Sequence, residues 1–343
     1  MKVLVVKRDK IGDLLLTTPM LRHLRESRPQ AEIHLLATDY NAWVVEGNAD
    51  VDRRFVYRRV RHGGRVNLRA AFEALALRSR LRAGRYDWVL VGNGDESPRA
   101  IRWGLAAHGA HTVAYCADGA RYRGLSHPLP LRPGVHEAER LLALLAPMEI
   151  DPPAKPIWPS YVLPAAAERF AQRWLAQQGL APRGYVVLGL GARRAKKQPS
   201  TEQVLRWTAH FKQAWRLDTV FMWTPGRLAD PVYPGDDDIA QPVLDARVPH
   251  IHPFRGPVRE ALGLVFGARA SVFPDSGLMH FAAASPGGVL GLFAESDVSP
   301  APSQWAPLGP RAQWLEAAKT VTELPDALVY ERLARLLAPT GAA

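Results

Sequence analysis

Short apolar runs alternate with amphipathic segments along the whole chain, and the alternation runs through twice. KVLVV (2–6), AEIHLLAT (31–38), VDRRFVY (51–57), YDWVLVG (86–92) and HTVAY (111–115) read as strands. Between and after them, PMLRHLRESRP, NLRAAFEALALRSRLRAGR and VHEAERLLALLAPM (135–148) read as helices. Thr18 can N-cap the first of these, with Pro19 at its first helical position. Strand–helix alternation of this kind predicts a mostly parallel sheet wrapped by helices.

DPPAKPIWPS (151–160) is proline-rich and without periodicity, so it reads as an extended linker. The pattern then restarts. PAAAERFAQRWLAQQG is a helix ended by Gly179, YVVLGLG a strand, and STEQVLRWTAHFKQAW a helix opening at Ser200 with Glu202 nearby. DTVFMW, ASVFPD and GGVLGLF are further strands, and PVREALGLVFGA, SGLMHFAAAS and ELPDALVYERLARLLAP further helices. The expectation is two α/β halves with a ligand cleft between them at the strand carboxyl ends.

Several classes are excluded early. One cysteine, Cys116, rules out an intramolecular disulfide and a multi-cysteine metal site, and it reads as a small core residue. Lys7, Arg8, Asp9 and Lys10 interrupt the first apolar run, so it is a strand and not a signal peptide, and no stretch is long and apolar enough to span a membrane. A cytoplasmic protein is expected. The net charge of +11 comes mostly from arginine and suits phosphates of any kind, or else a solvated surface. No helix-turn-helix, finger or aromatic-rich RNA motif accompanies it, so nucleic acid is the weaker partner class.

Four strand ends carry candidate chemistry. In KRDKIGD, Gly12 permits a tight turn and Asp13 either caps a helix or faces a substrate. GLGARRAKKQP (189–199) offers glycine N–H groups and four cations to a phosphate, although Arg194 spoils a dinucleotide fingerprint. WTPGRLAD (223–230) ends in Asp230, placed for a ribose, a base or a plain turn. In FPDSGLMHFAAAS (273–285), the first-turn N–H groups of Ser276, Gly277, Leu278 and Met279 can bind a pyrophosphate, with His280 as a further donor. HIH (250–252) lacks a third metal ligand nearby. GNGDES (92–97), with Asn93 and Asp95, follows a strand and can meet acceptor hydroxyls.

These motifs together carry a resemblance. RDKIGDLLLTTPMLRHLRE is similar to the opening of glycosyltransferase family 9, the ADP-heptose:lipopolysaccharide heptosyltransferases. FPDSGLMHFAAAS, then GGVLGLFAESD and WAPLG, resembles that family's C-terminal signature; KKQP resembles its Lys-x-x-Pro segment, and VHEAERLLALL its His-Glu helix. The resemblance implies a GT-B fold, two Rossmann-like domains facing across a cleft. The acceptor would lie in 1–150, a linker in 151–163, and the nucleotide sugar in 164–321, with the helix in 322–343 packing back on the N-terminal domain.

It also implies an inverting transfer. Asp13 would be the general base and Lys196, matching the family lysine, would stabilise the leaving diphosphate. Gly191, Ala192, Asp230, Asp275, Ser276, Gly277, Leu278, Met279 and His280 would bind the donor, and Lys7, Arg8, Lys10, Gly12, Asn93 and Asp95 the acceptor. No metal is needed in that scheme. Departures exist: Gly191 and Ala192 stand where small hydroxyl residues are usual, and KKQP lacks the aromatic before proline. One cysteine sets the chain apart from the iron-binding, protein-modifying branch. The basic run Arg53, Arg54, Arg58, Arg59, Arg61 and Arg65 suits a lipid-linked anionic acceptor and an anionic inner-membrane surface. Other readings are a transferase of the same fold with another nucleotide sugar, a non-catalytic nucleotide-sugar binder and a nucleic-acid-binding protein.

Overall fold

The computed structural model describes all residues except 59–60, 63–64, 67, 192–193, 228, 231–233, 298–299 and 339–343, and gives only the backbone of 61, 62, 65, 66 and 68. The chain divides into two units, Met1–Val162 and Leu163–Ala343.

The first unit holds β1 (Lys2–Val6), α1 (Ile11–Leu15), α2 (Thr18–Ser27), β2 (Glu32–Thr38), β3 (Arg53–Tyr57) and the antiparallel pair β4 (Arg61–His62) and β5 (Arg65–Val66). There follow α3 (Leu68–Ala83), β6 (Trp88–Val91), α4 (Pro98–Leu105), β7 (His111–Tyr115), β8 (His127–Leu129) and α5 (Glu137–Ala143). Six strands form one parallel sheet in the order β3-β2-β1-β6-β7-β8. Side chains alternate across it. Leu4 and Val6 face α3 and α4 with Leu77, Leu81, Ile101 and Trp103, while Val3 and Val5 are buried on the opposite face.

The second unit runs α6 (Ala165–Gln177), β9 (Tyr185–Gly189), α7 (Thr201–Trp215), β10 (Asp218–Met222), α8 (Asp237–Asp245), β11 (Ile251–Phe254), α9 (Val258–Gly267) and β12 (Ala270–Pro274). It ends with α10 (Gly277–Ala283), β13 (Val289–Ala294), α11 (Pro302–Trp305), β14 (Ala312–Ala317) and α12 (Asp326–Leu337). Its parallel sheet has the order β11-β10-β9-β12-β13-β14. Both sheets thus reverse direction of growth at their first strand, the topology that leaves a binding crevice at the carboxyl edge. Val186 and Leu188 pack with Trp207, Phe211 and Leu333 on one face; Tyr185 and Val187 pack with Leu175, Leu264 and Met279 on the other.

Several expectations change. The segment after residue 150 is irregular but fastened to the first unit: His23 Nε2 is bonded to the Asp151 carbonyl at 2.7 Å, and Ser160 N–H donates to Thr18 Oγ1 at 2.9 Å. Tyr161 meets Trp43 edge to face. The helix expected over 135–148 stops at Ala143, with a separate turn at Ala146–Met148 around Pro147, which has no N–H to donate. Thr18 is already helical and Thr17 is the N-cap of α2. The closing helix buries Val329, Leu333 and Leu336 in the second unit's own core. Asp326 fixes its start by accepting from Trp207 Nε1 at 2.6 Å and from Arg206. Gly179 ends α6 as expected, in the left-handed region at φ 68°.

Candidate functional site

In the first unit the carboxyl ends of β1 and β6 gather a buried charge network. Lys7, the residue after β1, is fully buried, with Nζ 3.1 Å from Glu137 Oε1 and 3.3 Å from Asp9 Oδ2. Glu137 opens α5 and also faces Arg140, whose Nη2 is 3.1 Å from its Oε2. Arg140, equally buried, donates through Nη1 to the Gly94 carbonyl at 3.1 Å and to Asp95 Oδ1 at 2.6 Å. Gly94 N–H donates to Glu137 Oε1 at 3.2 Å. A Cβ at position 94 would sit 2.0 Å from Glu137 Oε2, so the loop closes on this carboxylate only with glycine there.

Asp13 borders that network. It occupies the third position of α1, and its Oδ2 accepts from Lys10 N–H at 2.9 Å. Lys10, and not Asp13, is therefore the N-cap; Asp13 closes the first turn from its third position with one carboxylate oxygen. Burial pushes the Asp13 carboxyl above the usual range, while Lys7 and the Lys10 N–H pull it back down. Burial alone would lower Lys7; Glu137, Asp9 and Asp13 outweigh it and hold Lys7 above the ordinary lysine value. The result is a half-buried carboxylate of raised basicity beside a fixed cation, the arrangement a general base needs.

The remaining N-terminal candidates divide. Gly12 is helical and buried, not a tight turn, because the Lys10–Asp13 bond starts α1 at Ile11. Asn93 is buried; its Nδ2 donates to Asp9 Oδ2, and its Oδ1 has no hydrogen-bond partner among the described residues. Arg8 Nε donates to the Tyr57 hydroxyl, with its guanidinium 5.2 Å over that ring. Lys10 is exposed. Arg53, Arg54 and Arg58 lie on or beside β3, Arg59 is outside the described residues, and the side chains of Arg61 and Arg65 are not described. Cys116 is buried, as expected.

The carboxyl edge of the second sheet carries the other candidates. Asp275 follows β12, and its carboxylate pairs with Lys197 Nζ, which is almost fully buried. Ser276, and not Asp275, is the N-cap of α10, and its buried Oγ has no hydrogen-bond partner among the described residues. Gly277, Leu278 and Met279 supply the first-turn N–H groups, which have no partner within the helix. His280 lies in the same turn and is buried. Lys196, the lysine selected by spacing to Pro199, pairs with Glu295 at the end of β13. Gly191 is open, its nearest neighbour to an added Cβ being Thr224 Oγ1 at 3.8 Å; Ala192 lies outside the described residues.

Asp230 is exposed. The acids that organise its loop are Asp236 and Asp237, at the start of α8. Asp236 Oδ2 accepts from Thr224 N–H at 2.7 Å and Oδ1 from Gln198 Nε2, which ties the loop after β10 to the KKQP segment. Asp237 accepts from Gly226 N–H at 2.8 Å and from Trp223 Nε1 at 2.9 Å. Burial pushes the Asp236 carboxyl up to about 6. Sequence reading gave no site role to Glu137, Arg140, Lys197 and Asp236, although the His-Glu helix motif contains Glu137; the Asp236-Asp237-Asp238 run was the one local signal for the last. Among the described residues no group of three or more potential ligands is placed to hold a metal, and no helix is long and apolar enough to cross a membrane.

Paired parallel α/β units, each with its candidate residues at the carboxyl edge of its sheet, are the arrangement of the GT-B fold. Residues 257–325, which contain Asp275 and α10, match the family model for glycosyltransferase family 9 (heptosyltransferase). Over that segment the chain is similar to the heptosyltransferase family, and its fold is that of the solved family 9 structures. It is similar in fold to a glycosyl transferase family 9 protein from Veillonella parvula, with TM-score 0.81, 17% identity and coverage of 98% of this chain and 97% of that one. E. coli ADP-heptose LPS heptosyltransferase II gives TM-score 0.73 at 21% identity, covering 98% of each chain. E. coli heptosyltransferase WaaC with ADP gives 0.75 at 18%, covering 98% of this chain and 100% of that one. No curated protein sequence matches the chain.

Proposed function

We propose that this glycosyltransferase moves a heptose from ADP-heptose to a lipopolysaccharide core or related lipid-linked glycan, with inversion at the anomeric carbon. The observation that carries this reading is the family match over 257–325, the segment that brings Asp275 and the N-terminus of α10 to the sheet's carboxyl edge. The solved E. coli WaaC structures with ADP and with ADP-2-deoxy-2-fluoro heptose add support for an ADP-sugar donor.

In this scheme Asp13 accepts the proton of an acceptor hydroxyl as its oxygen attacks the anomeric carbon. The bond from that carbon to the diphosphate breaks, and ADP leaves with the electron pair. General-base assistance of this kind contributes about 10²–10⁴-fold. Lys196, Ser276 and the first-turn N–H groups of Gly277, Leu278 and Met279, with His280, meet the charge that grows on the diphosphate. Those cations and donors do what a divalent metal does elsewhere, so none is required. Asp275 and Asp230 serve the donor sugar and ribose, and Arg8, Lys10, Asn93 and Asp95 stand on the acceptor side, with the fully buried Lys7 behind them. Lys7 and Asp95 act there through the ion pairs that hold them. A lipid-linked acceptor places the enzyme at the cytoplasmic face of an anionic membrane.

Calorimetry with ADP, UDP and GDP and their sugars tests the donor. The expected order is ADP far ahead of the others; preference for UDP or GDP would overturn the ADP-heptose assignment and leave the fold untouched.

A further inference from the structure

Helix α3 is apolar on two opposite faces. Ala70, Leu77 and Leu81 are buried, the two leucines in the core with Phe55 and Trp103. On the far side Phe72 is 72% exposed and Leu75 60%, the largest exposures of any bulky apolar residues described. Ala76, Ser79 and Ala83 extend the stripe at helical spacing and are exposed too. Arg69 and Arg80 border the stripe on one side, Arg78 and Arg82 on the other, all exposed. Residues 53–85 hold eleven arginines against one acid, Glu73, which pairs with Arg69 at 3.0 Å.

A solvent-facing helix gains nothing from a Phe–Leu stripe in water. A border of arginines around it matches a surface that is apolar inside and negative at its rim. We propose that the outer face of α3 docks on an anionic phospholipid bilayer, with Phe72 and Leu75 entering the headgroup–acyl boundary and the flanking arginines on lipid phosphates. A second copy is the poorer occupant, since two such faces would bring like charges together. Interfacial helices of this design lie parallel to the membrane and combine apolar burial with attraction to anionic lipid. The proposal deepens the reading of a membrane-borne acceptor, and vesicle binding measured without donor or acceptor separates the two.

The test is co-sedimentation of the full chain with phosphatidylglycerol–phosphatidylethanolamine vesicles and with pure phosphatidylcholine vesicles. Binding is expected to the first set only, weakening with salt. Phe72→Ser with Leu75→Ser should weaken it roughly 10²-fold, about tenfold for each side chain withdrawn from the lipid. Transfer to a soluble, delipidated acceptor should stay at wild-type level in that variant, which also shows that it folds. A Phe72→Cys chain carrying an environment-sensitive dye, in a Cys116→Ser background, should shift its emission to the blue on anionic vesicles. Equal binding to neutral vesicles, no binding to either set, or unchanged binding by the double variant would overturn the proposal. So would a dimer that the double variant dissolves in sedimentation while vesicle binding stays the same, because the face would then belong to a second copy. Intact vesicle binding by a chain that transfers no sugar leaves the docking surface standing and removes the transferase reading alone.

Discussion

Lys7 and Glu137 are 130 residues apart in the chain and 3.1 Å apart in the fold, Nζ to Oε1, both shielded from solvent. Glu137 is held from a second side by Arg140. One carboxylate thus balances two buried cations and fixes the loop after β6 through Gly94. Breaking such a pair strands charge in a low-dielectric setting. Glu137→Ala is expected to destabilise the first unit by about 3–5 kcal/mol, read as a lower urea midpoint.

Asp13 supplies a second prediction. Asp13→Asn keeps the shape and the acceptor oxygen for Lys10 N–H, so the fold should stand while kcat falls about 10²–10⁴-fold. A base works ionised, so activity rises with pH through its pKa. Because burial raises that pKa, the acid limb of kcat/KM should lie above the ordinary carboxylate range. Lys7 favours the ionised form, and Lys7→Met should therefore move the limb to higher pH still. A limb that stays put in Lys7→Met, or undiminished turnover by Asp13→Asn, would remove Asp13 from this role.

Much of this fold was legible in the sequence, and the reason is physical. Strands buried on both faces, such as VVLG and VLGLF, read as continuous apolar runs bounded by turn residues. Of the elements that escaped notice, α4 is amphipathic but short, and two others carry a diluted signal. β14, AQWLEA, is an edge strand with exposed Trp314 and Glu316, and α8 carries Pro242 inside it. Asp13 and the PDSGLMH segment stood out because strand ends are where sidedness and chemistry coincide. Glu137 and Arg140 did not, because their meaning lies in partners far off in the chain. Lys197 was overshadowed by its neighbour: spacing to Pro199 selects Lys196, whereas burial and the contact with Asp275 single out Lys197.

Gly94 tests the packing around that network directly. An added methyl group would stand 2.0 Å from Glu137 Oε2 and 2.9 Å from Arg140 Nε, both tightly held. Gly94→Ala should cost about 1–3 kcal/mol, as overpacking does, and lower the thermal midpoint. Gly191→Ala, where an added Cβ meets only Thr224 Oγ1 at 3.8 Å, should leave the midpoint near wild type and serves as its control.

Asp236 makes stability depend on pH with a sign opposite to the usual carboxylate. Its folded pKa is about 6 against 3.8 for an ordinary aspartate, so between those values the folded protein holds the proton more firmly than the unfolded chain. Stability should fall as pH rises through that window and level off above it, by about 3 kcal/mol from this group alone. Asp236→Asn keeps an oxygen for Thr224 N–H, and Gln198 can turn its amide to suit. That variant should show a flat profile from pH 4 to pH 6 and a higher urea midpoint than wild type at pH 7.5. A wild-type midpoint that rises over the same window would contradict the assignment.

The two adjacent lysines separate chemistry from architecture. Lys196 is partly exposed and paired with Glu295 at the sheet edge, within the segment proposed to meet the diphosphate. Lys197 is buried against Asp275 just before α10. Removing Lys196 should remove a cation needed only as charge grows on the leaving group. Lys196→Ala is therefore expected to lower kcat about 10²–10³-fold, with ADP affinity changed less and the urea midpoint unchanged. Lys197→Met leaves the Asp275 carboxylate without its partner beside Ser276, so its main effect should be on the urea midpoint and on ADP affinity by calorimetry. If Lys197→Met instead lowers kcat at full stability while Lys196→Ala is silent, the charge-stabilising role passes to Lys197, and the Lys-x-x-Pro spacing is the wrong guide to the diphosphate site in this chain.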